Sequence, residues 1–353
     1  MIVVAKENIS EQELIAEEFG LRYLSEKNSG FTRIKKGENF EYFDTKLKPI
    51  SDSKVLHRIK SLVIPPAWQE VWISPFSNSH IQATGLDARG RKQYIYHKEW
   101  IKYRCETKFD KMEAFGEALP LIRKQVEKDL ARKSLDKKKV LSAVVGLLDH
   151  TLIRIGNKRF ELDNQSYGLT TLRDKHMKAI GKTVIFEFSG KRGIKQELEV
   201  TDMQLAKIVK KCRDIPGHKL FQYYNKEGKK FAITSEDVNE YLKNITKRDI
   251  TSKDFRTWGA STYAVKRLLN IVPPRTKNEI KKNLATVIKE VARKLGNTET
   301  VCRKYYLHPI VLKAYSDHYI SKIISEDTKY HLKGSKLLSP PEKLFLLILE
   351  KLR

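Results

Sequence analysis

The chain has 353 residues, 40% hydrophobic and 9% aromatic, enough to build a core without disulfides and too much for a wholly disordered chain. Lys and Arg number 69 against 43 Asp and Glu, a formal charge of +26 that suggests a polyanionic partner, nucleic acid before an anionic membrane surface. The longest strongly apolar run, LFLLIL at 344–349, falls far short of the ~20 residues that cross a bilayer, so no membrane span is expected. The start, MIVVAKENISEQ, lacks the basic and apolar regions of a secretory signal. Cys105, Cys212 and Cys302 lie far apart with no CxxC pair, as expected for a reducing, cytoplasmic setting. His80, His97, His150, His176, His218 and His308 sit in unrelated contexts, so no metal site is expected.

Residues 10–21 read as a short helix, with Ser10 and Glu13 as a capping box and Leu14, Ile15 and Phe19 on one face. Residues 30–45 (GFTRIKKGENFEYFDT) read as a hairpin, and 52–61 as a short helix ended by VIPP at 63–66. AWQEVWISP and HIQATGLDARGRKQYIYHKEW read as strands, the latter with a turn at residues 87–90. From about residue 105 the texture becomes helical, highly charged over 105–135 and interrupted by Pro120. Residues 136–155 form an amphipathic helix, with Val140, Val144, Leu148 and Leu152 along one stripe and Gly156 as its C-cap. VIFEF (184–188) and QELEV (196–200) flank a basic, glycine-bounded hairpin tip. Beyond 235 the chain is mostly helical, most clearly over 277–295, where Gly296 stops the helix. The expected fold is α+β: a small β-rich domain over 1–98 and a larger, mainly α-helical domain over 99–353 carrying a small hairpin or sheet.

Basic residues interleaved with aromatics carry more information than charge alone. In GRKQYIYHK (90–98), Tyr94 and Tyr96 fall on one side of a strand. That side is either a core-facing stripe or a surface laid against a sugar–phosphate backbone.

Six blocks then occur in order: GRKQYIYHK, RIGNKRF (154–160), YGLTTLRDKHM (167–177), FSGKRG (188–193), DFRTWGAS (254–261) and LGNTETVCRKYYLHP (295–309). Each alone is a weak motif. Together they resemble the type IB DNA topoisomerases, in particular the compact poxvirus-like and bacterial branch, from about residue 30 to 310.

The resemblance implies a monomeric isomerase that clamps duplex DNA between two domains. It nicks one strand through a 3′-phosphotyrosyl bond, lets the free 5′ end rotate, and reseals without ATP, metal or other cofactor. In a bacterium it would be nucleoid-associated. Tyr306 is implied as nucleophile, nine positions after Asn297, with Tyr305 as its internal rival. A phenol with a pKa near 10 needs nearby cations to attack at neutral pH. Arg154 and Arg256 match the family's two arginines, whose guanidinium forks suit the non-bridging oxygens of a phosphorane. By position alone Arg154 could equally serve the C-terminus of the preceding helix, and Arg256 could pair with Asp254.

Lys191 matches the hairpin-tip lysine, the implied general acid for the 5′-oxygen. An exposed turn lysine would look the same, and Lys195 is an alternative. Asn297 stands where poxvirus and eukaryotic members carry histidine. It can donate a hydrogen bond but not a proton, and it could also serve as a helix cap. Gln93, Tyr94, Tyr96, Lys158, Arg159 and Arg192 are implied DNA contacts. Asn157 and Phe160 depart from the poxvirus pattern, so that sequence preference is not carried over. The rival readings are a tyrosine recombinase, disfavoured by Lys253 where that family usually has histidine, and a non-catalytic DNA-binding protein.

Overall fold

The computed structural model describes residues 11–320, 322 and 335–352, without the side chains at positions 11, 105, 106, 159, 163, 164 and 192. Ser10, expected to cap the first helix, lies outside the described residues. The chain divides into two compact units, Met1–Thr107 and Lys108–Arg353.

The first unit begins with α1 (Glu11–Glu18). Of its expected apolar face only Ile15 is partly buried, packed with Ala16, Leu21 and Trp100, while Leu14 and Phe19 are exposed. An antiparallel sheet follows, made of β1 (Phe31–Lys36), β2 (Asn39–Phe43), β3 (Gln69–Ile73), β4 (Ile81–Leu86) and β5 (Lys92–Tyr96) in the order β2-β1-β3-β4-β5. The helix α2 (Ser53–Ser61), capped by the Asp52 carboxylate, sets Ile59 against Val71, Ile73 and Ala83. On β5 the two-residue alternation sends Ile95 towards that core and leaves Tyr94 and Tyr96 exposed. Their rings stack 5.9 Å apart.

The helix α3 (Lys98–Leu130) carries the chain from the first unit into the second. It runs unbroken through Pro120, unlike the interruption expected there. A proline removes one N–H from the ladder, but Phe115, Leu119 and Ile122 on either side are fully buried and hold the helix together. The next helix, α4 (Lys137–Thr151), is buried all round from Val140 to Leu148 and forms the centre of the second unit. It ends earlier than expected: Leu152, not Gly156, takes the left-handed cap conformation, at φ +56°. A β-carbon on Gly259 would come within 2.3 Å of the Leu152 side chain. Tertiary packing against that glycine holds a leucine where glycine is the usual choice.

After α4 come α5 (Lys158–Asn164), the sheet β6 (Met177–Ile180), β7 (Thr183–Ser189) and β8 (Lys195–Val200), and α6 (Met203–Arg213); β8 and α6 pack on α4. A short hairpin, β9 (Gln222–Tyr224) with β10 (Lys230–Ala232), was not visible in the sequence pattern. Helices then follow: α7 (Ser235–Thr246), α8 (Asp254–Leu269), α9 (Lys277–Leu295), α10 (Glu299–Tyr305), α11 (Pro309–Ser316) and α12 (Pro340–Leu352). The α12 run LFLLIL is amphipathic rather than membrane-spanning. It buries Leu344, Phe345, Ile348 and Leu349, and α12 packs on α8 and α11. No helix among the described residues is long and apolar enough to cross a membrane.

Candidate active site

Arg256 sits near the start of α8 and is 5% exposed. It makes no ion pair with Asp254, whose carboxylate instead accepts from the Thr251 N–H and hydroxyl. The Arg256 guanidinium donates to the carbonyl of Leu152, the cap of α4, and at 3.0 Å to that of Leu295, the last residue of α9. The last carbonyls of a helix have no intrahelical donor and carry the negative end of its dipole. One buried cation therefore serves two helix ends and is locked by both. Burial and the neighbouring Arg154 bring the Arg256 pKa down to about 10, so the group stays charged at neutral pH.

Because α4 stops at Thr151, Arg154 lies in the following loop and not on the helix end. The YGLTT block grips that loop. Leu169 N–H donates to the Arg154 carbonyl at 2.9 Å, and Thr170 N–H to that of Ile155 at 2.7 Å. Gly168 lies so close that a β-carbon there would meet the Gly156 nitrogen at 2.5 Å. This block is one of the six that carry the family resemblance, which implied no role for it. Its glycine and threonine were the available signal.

Asn297 follows the C-cap of α9. Gly296 takes the left-handed position at φ +59°, and the Asn297 N–H closes the cap on the Ala292 carbonyl. The backbone thus does the capping and frees the side chain. The Asn297 Oδ1 accepts from the Arg154 guanidinium at 2.5 Å. Its Nδ2, like the Nε of Arg256, is a buried donor with no hydrogen-bond partner among the described residues.

Tyr306 is the cap residue of α10, and its N–H donates to Cys302 at 2.9 Å. Two residues on, the His308 N–H donates to the Ser261 hydroxyl of α8 at 3.0 Å, so the turn is tied to the helix that carries Arg256. The Tyr306 ring is half-buried, its centroid 5.1 Å from the Arg256 guanidinium carbon and 4.5 Å from the Lys108 ammonium. Burial opposes ionisation of the phenol, but the charges of Arg256, Arg154 and Lys108 outweigh it and set its pKa below the ordinary tyrosine value. Tyr305, the rival, is exposed, with Lys304 over its ring.

Lys191 lies at the exposed tip between β7 and β8. It lines one cleft together with Arg154, Arg256, Tyr167 and Gln196. Of the expected DNA contacts, Tyr94, Tyr96 and Lys158 are exposed. Gln93 is half-buried and donates to Asp87 at 2.9 Å. The side chains of Arg159 and Arg192 lie outside the described residues.

The second unit gathers two arginines and a hairpin lysine along one cleft, with Tyr306 beside Arg256, and these are the side-chain types that phosphoryl transfer to a protein nucleophile draws on. Comparison with known proteins gives the family. Residues 97–331 match the eukaryotic DNA topoisomerase I catalytic core, and residues 39–87 the bacterial DNA topoisomerase IB N-terminal domain. The chain is 31% identical over 296 residues to DNA topoisomerase 1B of Acanthamoeba polyphaga mimivirus, covering 82% of this chain and 88% of that protein. It is 23% identical over 291 residues to the vaccinia virus (strain Western Reserve) DNA topoisomerase 1B, covering 80% and 89%. The chain belongs to the type IB DNA topoisomerase family. It is a DNA topoisomerase, and the recombinase and non-catalytic readings are not favoured.

Proposed function

We propose that Tyr306 is the nucleophile of this topoisomerase. Its phenolic oxygen bonds to a DNA phosphorus, its proton passes to water, and the P–O5′ bond breaks. Lys191 protonates the departing 5′-oxygen and later recovers a proton from solvent. Arg154 and Arg256 hold the non-bridging oxygens, and the amide of Asn297 donates to one of them. Resealing reverses each step, so the bond energy stays in the tyrosyl ester and no ATP is consumed. Fixed cations supply the charge stabilisation, and the reaction runs without a divalent metal. Duplex DNA lies along Gln93, Tyr94, Tyr96, Lys158, Arg159 and Arg192, and one molecule acts alone on one strand.

The observation that carries this reading is the acidified phenol of Tyr306 beside Arg256, whose guanidinium also lines the Lys191 cleft. The two orphaned donors, Arg256 Nε and Asn297 Nδ2, add support, since phosphoryl oxygens would satisfy both. The test is relaxation of supercoiled plasmid in EDTA without ATP, for the native chain and Tyr306→Phe, with a denaturing gel for the covalent adduct. Native relaxation and adduct, both lost in Tyr306→Phe, are the expected result. An adduct that survives in Tyr306→Phe removes Tyr306 from the role.

A further inference from the structure

Lys108, on α3, is outside every motif that marks the site, yet it reaches the expected nucleophile. Its ammonium lies over the Tyr306 ring at 4.5 Å from the centroid. The same ammonium donates to the carbonyl of Tyr305, the last residue of α10. That carbonyl is one of the acceptors that a helix end leaves without an internal donor. A single cation therefore holds both the ring and the peptide group immediately before it.

We propose that Lys108 positions Tyr306 for attack, clamping its ring against Arg256 and fixing the helix end that presents it. The inference rests on Tyr306 being the nucleophile. An ammonium cannot take the phenol's proton. It favours the phenolate that remains once the proton has gone to water, through charge and through the ring face.

The groups around the phenol come from several elements. Arg256 belongs to α8, Arg154 to the loop after α4, and Lys108 to α3. The Cys302 thiol on α10 is pushed up to about 11 by burial, and so stays neutral. Asp254 is bound by Thr251, and its carboxyl is raised by burial, against the pull of Lys111 and Lys108. The His308 ring packs beside Phe109 and Phe345. Among the described residues, Arg256, Arg154 and Lys108 are the main groups that draw the phenol towards ionisation.

The test measures adduct formation in a single turnover on linear duplex DNA, at saturating enzyme, from neutral to alkaline pH. The full-length chain is compared with Lys108→Met, Lys108→Gln and Lys108→Arg. Noncovalent affinity is measured for each in a Tyr306→Phe background. Lys108→Met should slow adduct formation about tenfold at neutral pH, the size expected for one partly desolvated cation on a ring. Its rate should recover as pH rises, with noncovalent affinity little changed. Lys108→Gln keeps a donor without the charge, guards against a folding defect, and should share the displaced pH profile. Lys108→Arg should restore most of the rate.

A native rate at saturation, a loss confined to affinity, or an equal loss in Lys108→Arg with an unmoved pH profile would overturn the proposal. An adduct that persists in Tyr306→Phe is a different failure, since it removes the nucleophile assignment itself.

Discussion

Gly168→Ala tests whether the YGLTT block sets the position of Arg154. A β-carbon there would meet the Gly156 nitrogen at 2.5 Å, the Arg154 carbonyl oxygen at 2.6 Å and the Gly156 α-carbon at 2.6 Å. All three are backbone atoms, so no side chain can swing away. To restore ordinary contact near 3.4 Å, the loop carrying Arg154 must retreat by about 0.9 Å. The 2.9 Å bond from Leu169 to the Arg154 carbonyl and the 2.7 Å bond from Thr170 to Ile155 would stretch with it. Overpacking of this kind costs about 1–3 kcal/mol of stability. On the role proposed for Arg154, a displacement near 1 Å should slow chemistry on the order of 10²-fold. Single-turnover adduct formation at saturating DNA, read beside thermal unfolding, separates the two effects. Gly146→Ala on α4 is the matched control, since its nearest contact would be the flexible tip of Leu205 at 3.0 Å. A Gly168→Ala enzyme that cleaves at the native rate while remaining folded would refute the argument that this loop is held by close backbone approach.

Asn297→Asp keeps an oxygen for Arg154 but replaces the orphaned Nδ2 donor with a second carboxylate oxygen. It should slow adduct formation on the order of 10²-fold and more than Asn297→Ala does, because it adds repulsion to a lost hydrogen bond. Equal rates for the two variants would mean that the amide does not face the phosphate. In the second unit, Arg123 bridges Asp149 at 2.7 Å and Glu342 at 2.8 Å, and the Trp258 indole donates to the same Glu342 at 3.2 Å. Arg123→Met strands two mostly buried carboxylates and should lower stability by about 3 kcal/mol, read from denaturant unfolding. An unchanged midpoint would show the network to be solvent-screened. Burial works against the Glu342 carboxylate, but Arg123 outweighs it and holds the group below its ordinary range. Its contribution is therefore complete above the unfolded carboxylate value of about 4.3 and is lost as pH falls through the lower folded value. The stability gap between the native chain and Glu342→Gln should be full at neutral pH and close in acid. A gap that persists there would place its origin elsewhere.

Much of the local structure was legible because local physics determined it. The two-residue alternation in KQYIY and the apolar stripe ending at Gly296 fix β5 and α9 almost wherever they are placed. The alternation could not say which side of β5 meets a core. The packing of Ile95 on the Ile59 cluster decided that, and left Tyr94 and Tyr96 exposed. Helix ends were misread where tertiary contacts overrode propensity. Leu152 is held left-handed against Gly259, and Pro120 is carried inside α3 by the buried residues around it.

The site divides in the same way. The six ordered blocks and the family resemblance they carry implied Arg154, Lys191, Arg256, Asn297 and Tyr306 as candidates, whereas residue type alone left each of them with an ordinary structural reading. Sequence could not reveal that Arg256 is locked by the carbonyl ends of α4 and α9. Nor could it show that Lys108, nearly 200 positions from Tyr306, lies over its ring. Those contacts join segments remote in the chain and depend on distances of a few ångströms. Charge effects and close approach act through space, so only the folded chain decides them.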